Sequence, residues 1–392
     1  MSRILAIPSL TSGIPFSFAM VAALFFAVGC TPGVADDDDD ACASEVPLLG
    51  CGDHTEAGVD LTVVSSNSDD LDEPRDLAFN PDIPGQVWVV NRGDDGMVIF
   101  SDVGTDDQSS DHIIDPYAEH FMEEVSSIAW GPSERFGTCH ESTNTYNGAA
   151  PGNDFMGPSL WSSDPDVFGE SNPDAVEGQG FDLGSHLDML HESPLCMGIA
   201  WEEDNIYWVF DGSDGSIARY DFQQDHGPGW DDHSDGIIAR YVTGEVDRQS
   251  DVPSHMELDH DTGLLYIADT GNKRIAVLDT TSGDRGSDLP VMEPGTEHYE
   301  MEDAELTTLI DGDDYNLDHP SGLALHDGVL YISDNDNGNI LAFNLQGEML
   351  DFLELDVDKD ALMGIDFGPD GALYIVDAEE DELLRIAPKS SE

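Results

Sequence analysis

The chain has 392 residues, with 13 lysines and arginines against 83 aspartates and glutamates, and a formal net charge of −70. Such a polyanion repels nucleic acid and anionic lipid headgroups, which excludes both as partners gripped by basic residues. Hydrophobic residues make up 39% and aromatics 8%, enough for a packed core, so wholesale disorder is excluded as well.

In chain order, the first segment reads as an export signal. Arg3 is the only basic residue ahead of an apolar stretch that is densest from Phe16 to Val28 and stops at Gly29-Cys30. Pro15 and Ser17 interrupt the window of about 20 apolar residues that a membrane span needs. Ala27-Val28-Gly29-Cys30 resembles the lipobox of bacterial lipoproteins, departing from it at Ala27, where that family usually has leucine. The resemblance implies loss of residues 1–29 as a signal peptide, lipidation of Cys30, and residence in the cell envelope on the outer face of a bacterial membrane. An ordinary cleaved signal would instead leave the protein secreted. Residues 30–58 follow as a lipidated acidic tether, with Asp36 to Asp40 a self-repelling spacer. Cys42 and Cys51 are spaced to close a small disulfide loop in an oxidising compartment, and Cys139 and Cys196 either pair or bind metal.

Residues 59–389 are governed by a repeat. An aromatic residue is followed by Asp or Asn three positions on, then by an apolar residue: Trp88, Asn91, Met97; Trp208, Asp211, Ile217; Tyr266, Asp269, Ile275; Tyr331, Asp334, Ile340; and Tyr374, Asp377, Leu383. A degenerate copy falls at Trp161 and Asp164. Short apolar strands precede the copies, aligned on Leu77, Ile128, Ile199, Leu258, Leu323 and Ile365, which makes six units. Apolar runs bounded by Gly, Asp, Asn and Pro are meander strands, and Gly263 and Gly371 stand at hairpin turns that need a positive φ. One four-stranded sheet cannot bury both faces, whereas six stacked around an axis can. The expected fold is therefore all-β, a six-bladed β-propeller. The last unit lacks a fourth strand, and Asp60 to Val64 lacks a partner, so this N-terminal strand is predicted to pair with the last blade and close the ring.

Val252 to Asp279 resembles an NHL repeat, and His319 to Phe343 and Leu362 to Ile386 are similar to it. The resemblance covers about residues 60–388, with the second unit poorly matched, and implies fold more than activity.

Candidate chemistry lies where inner strands converge. One aligned column reads Pro74, Val125, Cys196, His255, Pro320, Leu362, and the next Arg75, Ser126, Met197, Met256, Ser321, Met363; strand alternation sends only one of them to the axis. His255 and Cys196 are candidate ligands for zinc or copper, joined by His191, His226, His233 and His319 from the connecting segments. Asn91-Arg92-Gly93-Asp94 is similar to a stretch of the amidating lyase that acts on peptidyl-hydroxyglycine, which implies a catalytic Arg92, and Pro253-Ser254-His255 is similar to its zinc-ligand strand openings. Val125-Ser126 and Leu362-Met363 lack that family's other zinc histidines, and Thr270-Gly271-Asn272 lacks its tyrosine. Similarity to gluconolactonase-like and paraoxonase-like propellers implies instead an axial calcium, for which Glu257, Asp76 and Asp366 are available. Among the long connections, the apolar run Phe155 to Trp161 either caps blade two or walls a pocket. The expected molecule is a monomeric, lipid-anchored propeller that binds a protein or small molecule at its axial face. The alternative is a metal-dependent enzyme, amidating-lyase-like or a calcium lactonase or hydrolase, with its site around His255.

Overall fold

The computed structural model describes residues 46–390 apart from 133, 146, 147 and 149. Cys30 and Cys42 lie outside the described residues, as does the signal segment; Cys51 is disulfide-bonded. Among the described residues no helix is long and apolar enough to cross a membrane.

Six sheets form a ring, each beginning with its inner strand. Blade 1 comprises Pro74–Phe79, Val87–Asn91, Gly96–Ser101 and Ser109–Ile113; blade 2 comprises Val125–Trp130, Arg135–His140, Ser159–Ser162 and Asp188–Met189. Blade 3 runs through Cys196–Glu203, Ile206–Asp211, Ser216–Asp221 and Ile237–Tyr241, and blade 4 through Met256–Asp259, Leu264–Asp269, Arg274–Asp279 and Leu306–Asp311. Blade 5 holds Pro320–His326, Val329–Asp334, Asn339–Asn344 and Met349–Glu354; blade 6 holds Leu362–Phe367, Leu373–Asp377, Glu382–Pro388 and, last, Val59–Ser65. Each inner strand touches those of the two neighbouring blades, blade 6 meeting blade 1. Ring closure is as expected: Val59–Ser65 pairs antiparallel with Glu382–Pro388, from Val59 opposite Pro388 to Ser65 opposite Leu383. Val46, Leu48 and Leu49, within the expected tether, are buried in a cluster shared with blades 5 and 6.

The repeat has a physical origin. Its acid accepts backbone N–H groups of the turn that follows the second strand: Asp211 Oδ1 takes Ser213 N at 2.8 Å and Asp214 N at 3.1 Å, and Asp377 Oδ1 takes Glu379 N and Glu380 N at 3.0 Å each. The carboxylate thus supplies acceptors that the turn's own carbonyls do not. Its aromatic fills the gap between neighbouring blades. Trp88, only 1% exposed, packs at 5.2 Å from Trp130 and 5.1 Å from Phe136 of blade 2, edge to face.

Three details differ from the sequence reading. Blade 2 does not place its copy at Trp161 and Asp164; Trp161 is on the third strand, and the second strand is Arg135–His140. There Gly137, opposite Ala129, holds the aromatic's position. A Cβ on Gly137 would come within 2.8 Å of Ile199 Cδ1 and 3.1 Å of Tyr207 Cε1, so blade 3 fills the space from the other side. Blade 4 shows no register shift over Met256–Asp259, whereas the inner strands of the other five each carry at least one. Its true alignment therefore sets Met256, not Leu258, level with Leu77, and Glu257 level with Ala78, and the strand alternation assumed for the two columns does not run through those bulges. Finally, Asp284–Asp288 and Glu297–Glu302 form a hairpin that extends blade 3 through parallel pairing of Ile237 with Glu297.

Candidate functional site

All six inner strands contribute to one axial cavity of about 210 Å³. Aligned on the aromatic partner in the second strand, the inner-strand column reads Ala78, Ala129, Ala200, Glu257, Ala324 and Asp366. Alanine suits a crowded hub; the two acids break that pattern and both line the cavity, with Asp76 beside them. Among the described residues no lysine or arginine lines it.

The three carboxylates differ in what holds them. Asp76 accepts Leu77 N at 2.8 Å and, across to blade 2, Ile128 N at 3.0 Å. Asp366 accepts Phe367 N at 2.7 Å and, across to blade 1, Phe79 N at 2.8 Å. Each therefore ties two blades together at the hub. Glu257 makes no side-chain hydrogen bond or ion pair among the described residues. Burial pushes Asp76 up to about 8 and Asp366 up to about 7, against their backbone hydrogen bonds. Glu257 is pushed well above its ordinary value by burial first and then by the charges of Asp366 and Asp76. His255 sits beside them, its Nε2 3.3 Å from Ser126 O and 3.4 Å from Asp76 Oδ2, and burial lowers it to about 4, so its imidazole is neutral. Its Nδ1 is buried without a hydrogen bond. The rings of Trp130 and Trp201 complete the wall.

The opposite mouth, where inner strands begin, is a cavity of about 670 Å³ lined by Arg75, Arg92, Asp251 and His319 among others. Arg92 is an ion-pair hub there, 3.3 Å from Glu73, 3.2 Å from Glu124 and 2.9 Å from Asp251. Its place is with these acids, which already occupy its guanidinium, and away from His255. His319 belongs to this mouth as well, within a group where it, Asp336 and Asp360 each bring one ligand atom within 4.8 Å of the others. Lys359 already pairs with Asp336 there.

The remaining histidines gather at the rim of blades 2 and 3. His191 stacks on Phe155 with ring centroids 3.7 Å apart, and its Nε2 lies 3.4 Å from His120 Nε2. With Tyr117, Phe121 and His233 they line a pocket of about 390 Å³. Of the apolar run, Phe155 walls this pocket, whereas its end is not a loop: Ser159–Ser162 is the third strand of blade 2, and Met156 and Trp161 pack in the core there. Burial pushes His191 well below its ordinary value and His120 down to about 4. His226 is nearby, 2.9 Å from Asp235 Oδ1.

One expected ligand is corrected. Cys196 is joined to Cys139 in a disulfide that staples blade 3 to blade 2, which leaves it no thiolate for a metal. Nor do the six expected ligands share a centre: His255 is axial, His319 lies at the opposite mouth, and His191, His226 and His233 are on the rim. Sequence reasoning missed Asp188, Asp235 and His120, which carry no repeat signal; Glu257 and Asp366 were legible as carboxylates in an alanine column.

No protein-family model matches the chain, and no curated protein matches it in sequence. Solved structures are similar in fold. A protein of unknown function from Bacteroides thetaiotaomicron has a TM-score of 0.50 at 10% identity, covering 84% of this chain and 76% of that one. A glucose dehydrogenase has a TM-score of 0.50 at 14% identity, covering 85% of this chain and 100% of that one. A streptogramin B lyase has a TM-score of 0.48 at 12% identity, covering 84% and 98%. At these identities the likeness defines the fold alone. The chain is a six-bladed β-propeller with an acidic axial cavity, and its structural neighbours are of mixed function.

Proposed function

We propose that this protein is an exported, lipid-anchored propeller that binds a small cationic ligand in its axial cavity. Glu257 carries the reading: a half-buried carboxylate of the cavity wall that, among the described residues, has no hydrogen-bond partner, sits with Asp76 and Asp366, and has no lysine or arginine in the lining around it. Burying unpaired carboxylates is costly, so they keep their protons until a cation takes their place. An organic ammonium supplies N–H donors to several oxygens at once, and the indoles of Trp130 and Trp201 line the space it would enter. Export and anchoring rest on Arg3, the apolar stretch from Phe16 to Val28 and Cys30.

The test is calorimetric titration of the full chain with 1,5-diaminopentane and, separately, with calcium. Binding is expected to release protons, and Glu257→Gln to weaken it by roughly 10–100-fold, the worth of a charge-assisted hydrogen bond. No binding of either at millimolar concentration overturns the reading. A second reading, a divalent cation held by the same carboxylates in a hydrolase, is favoured by one observation: the neutral His255 imidazole within 3.4 Å of Asp76, placed to accept a proton next to such an ion. Calcium binding with no diamine binding would select it.

A further inference from the structure

Between the outer strand of blade 2 and the segment of blade 3 that precedes Ile237–Tyr241, three side chains of different parentage meet. One carboxylate oxygen each from Asp188 and Asp235 and one ring nitrogen of His226 all lie within 4.8 Å of one another. Asp188 is wholly buried. Its Oδ1 is committed, accepting Met189 N at 2.7 Å and His233 Nδ1 at 2.8 Å. Its Oδ2 is buried and, among the described residues, meets no hydrogen-bond donor. A carboxylate oxygen fully removed from water and left without a donor is costly unless something positive meets it. His226 and Asp235 face the same place from the solvent side, with Asp232 Oδ2 3.7 Å from His226 Nδ1.

We propose that Asp188, His226 and Asp235 form a binding site for a divalent first-row metal ion, with zinc preferred. Two carboxylate oxygens and one imidazole nitrogen are a zinc-type donor set, too few and too nitrogenous for calcium, which takes 6–8 oxygens. Three protein ligands leave one tetrahedral position open to solvent, on the side of the part-exposed Asp235. His233 is a positioning residue: its Nδ1–H fixes the Asp188 carboxylate, in the way ligands are oriented from behind. Since His233 also lines the aromatic pocket with Phe155 and His191, the ion would brace one wall of that pocket. Binding displaces the proton that His226 shares with Asp235. The surrounding backbone is already pinned, with Asn172 Nδ2 donating to Pro228 O at 2.6 Å and Gln179 Nε2 to Gly229 O at 2.8 Å.

The experiment is zinc titration of the full chain by calorimetry, with metal content measured after gel filtration. Wild type is expected to hold one zinc that Glu257→Gln leaves in place, which separates this site from the axial one. His226→Ala and Asp235→Ala, at part-exposed positions and checked for an unchanged circular-dichroism spectrum, are expected to lower zinc affinity at least about 100-fold, and His233→Phe roughly 10–100-fold. Unchanged zinc affinity in both His226→Ala and Asp235→Ala overturns the proposal. So does loss of the zinc in Glu257→Gln, or displacement of zinc by equimolar calcium.

Discussion

Replacing Glu257 by Gln should change how stability depends on pH, in a way that reads out the axial cavity directly. In the folded chain burial, with Asp366 and Asp76, keeps this carboxyl protonated; in the unfolded chain it ionises near its ordinary 4.5. A carboxyl whose folded pKa is raised gives its full contribution at low pH, and that contribution is lost as pH rises from the unfolded value through the folded one. The loss is about 1.4 kcal/mol per pH unit for one proton. Its neighbour gives the scale: Asp366, pushed from 3.8 to about 7, resists ionisation by about 4 kcal/mol. Glu257→Gln removes one such slope without breaking a hydrogen bond. The stability of the variant relative to wild type should therefore climb by up to about 1.4 kcal/mol per unit as pH rises above the unfolded value of 4.5, with chelator present. Urea unfolding followed by tryptophan fluorescence measures it, and the background from a net charge of −70 cancels in the difference. A difference that stays flat across that range would refute the idea that Glu257 is desolvated and unpartnered.

Other consequences are as open to measurement. Deleting residues 58–66 strips blade 6 of its fourth strand and should lower the melting temperature by more than about 10 °C, as seen by calorimetry. Replacing both Cys139 and Cys196 by Ser opens a loop of 57 residues and should cost up to about 4 kcal/mol in chemical unfolding. Trp88→Ala, which empties the gap between blades 1 and 2, should cost about 3–5 kcal/mol in the same assay. Gly364→Ala would set a Cβ 2.3 Å from Asp76 Oδ1 and 2.7 Å from its Cα, so diamine or cation binding at the axis should fall even where the chain still folds.

The sequence carried the architecture because the repeat is itself a packing and capping device: a ring-filling aromatic and a turn-capping acid are both visible as letters. Blade count, strand order and closure by Asp60 to Val64 followed from it. Blade 2 escaped because Gly137 and His140 replace the two signal residues, while Tyr207 of the next blade does the filling. The Glu297–Glu302 hairpin escaped because most of its side chains are polar and it joins by parallel pairing, which leaves no apolar alternation to read. At the hub, the blade 4 strand has no bulge where the others do, so the alignment on Leu258 ran two residues past Met256 and put the wrong residues in the two columns, although Glu257 itself was legible as an acid. The rim cluster brings together Asp188 and Asp235 across 47 positions of chain, a distance at which single-sequence spacing says nothing.

The seam in blade 6 dictates when this molecule becomes a folded object. Val59–Ser65 leaves the ribosome, or a translocation pore, hundreds of residues before Glu382–Pro388, yet each is the other's only neighbour on that side of the sheet. Until the tail arrives, the first-made segment has an open edge and the circle has a gap. Completing the ring therefore waits on a contact of long sequence separation, the kind that forms slowly. A chain cut short anywhere downstream would be left unlatched, however sound its other five wedges.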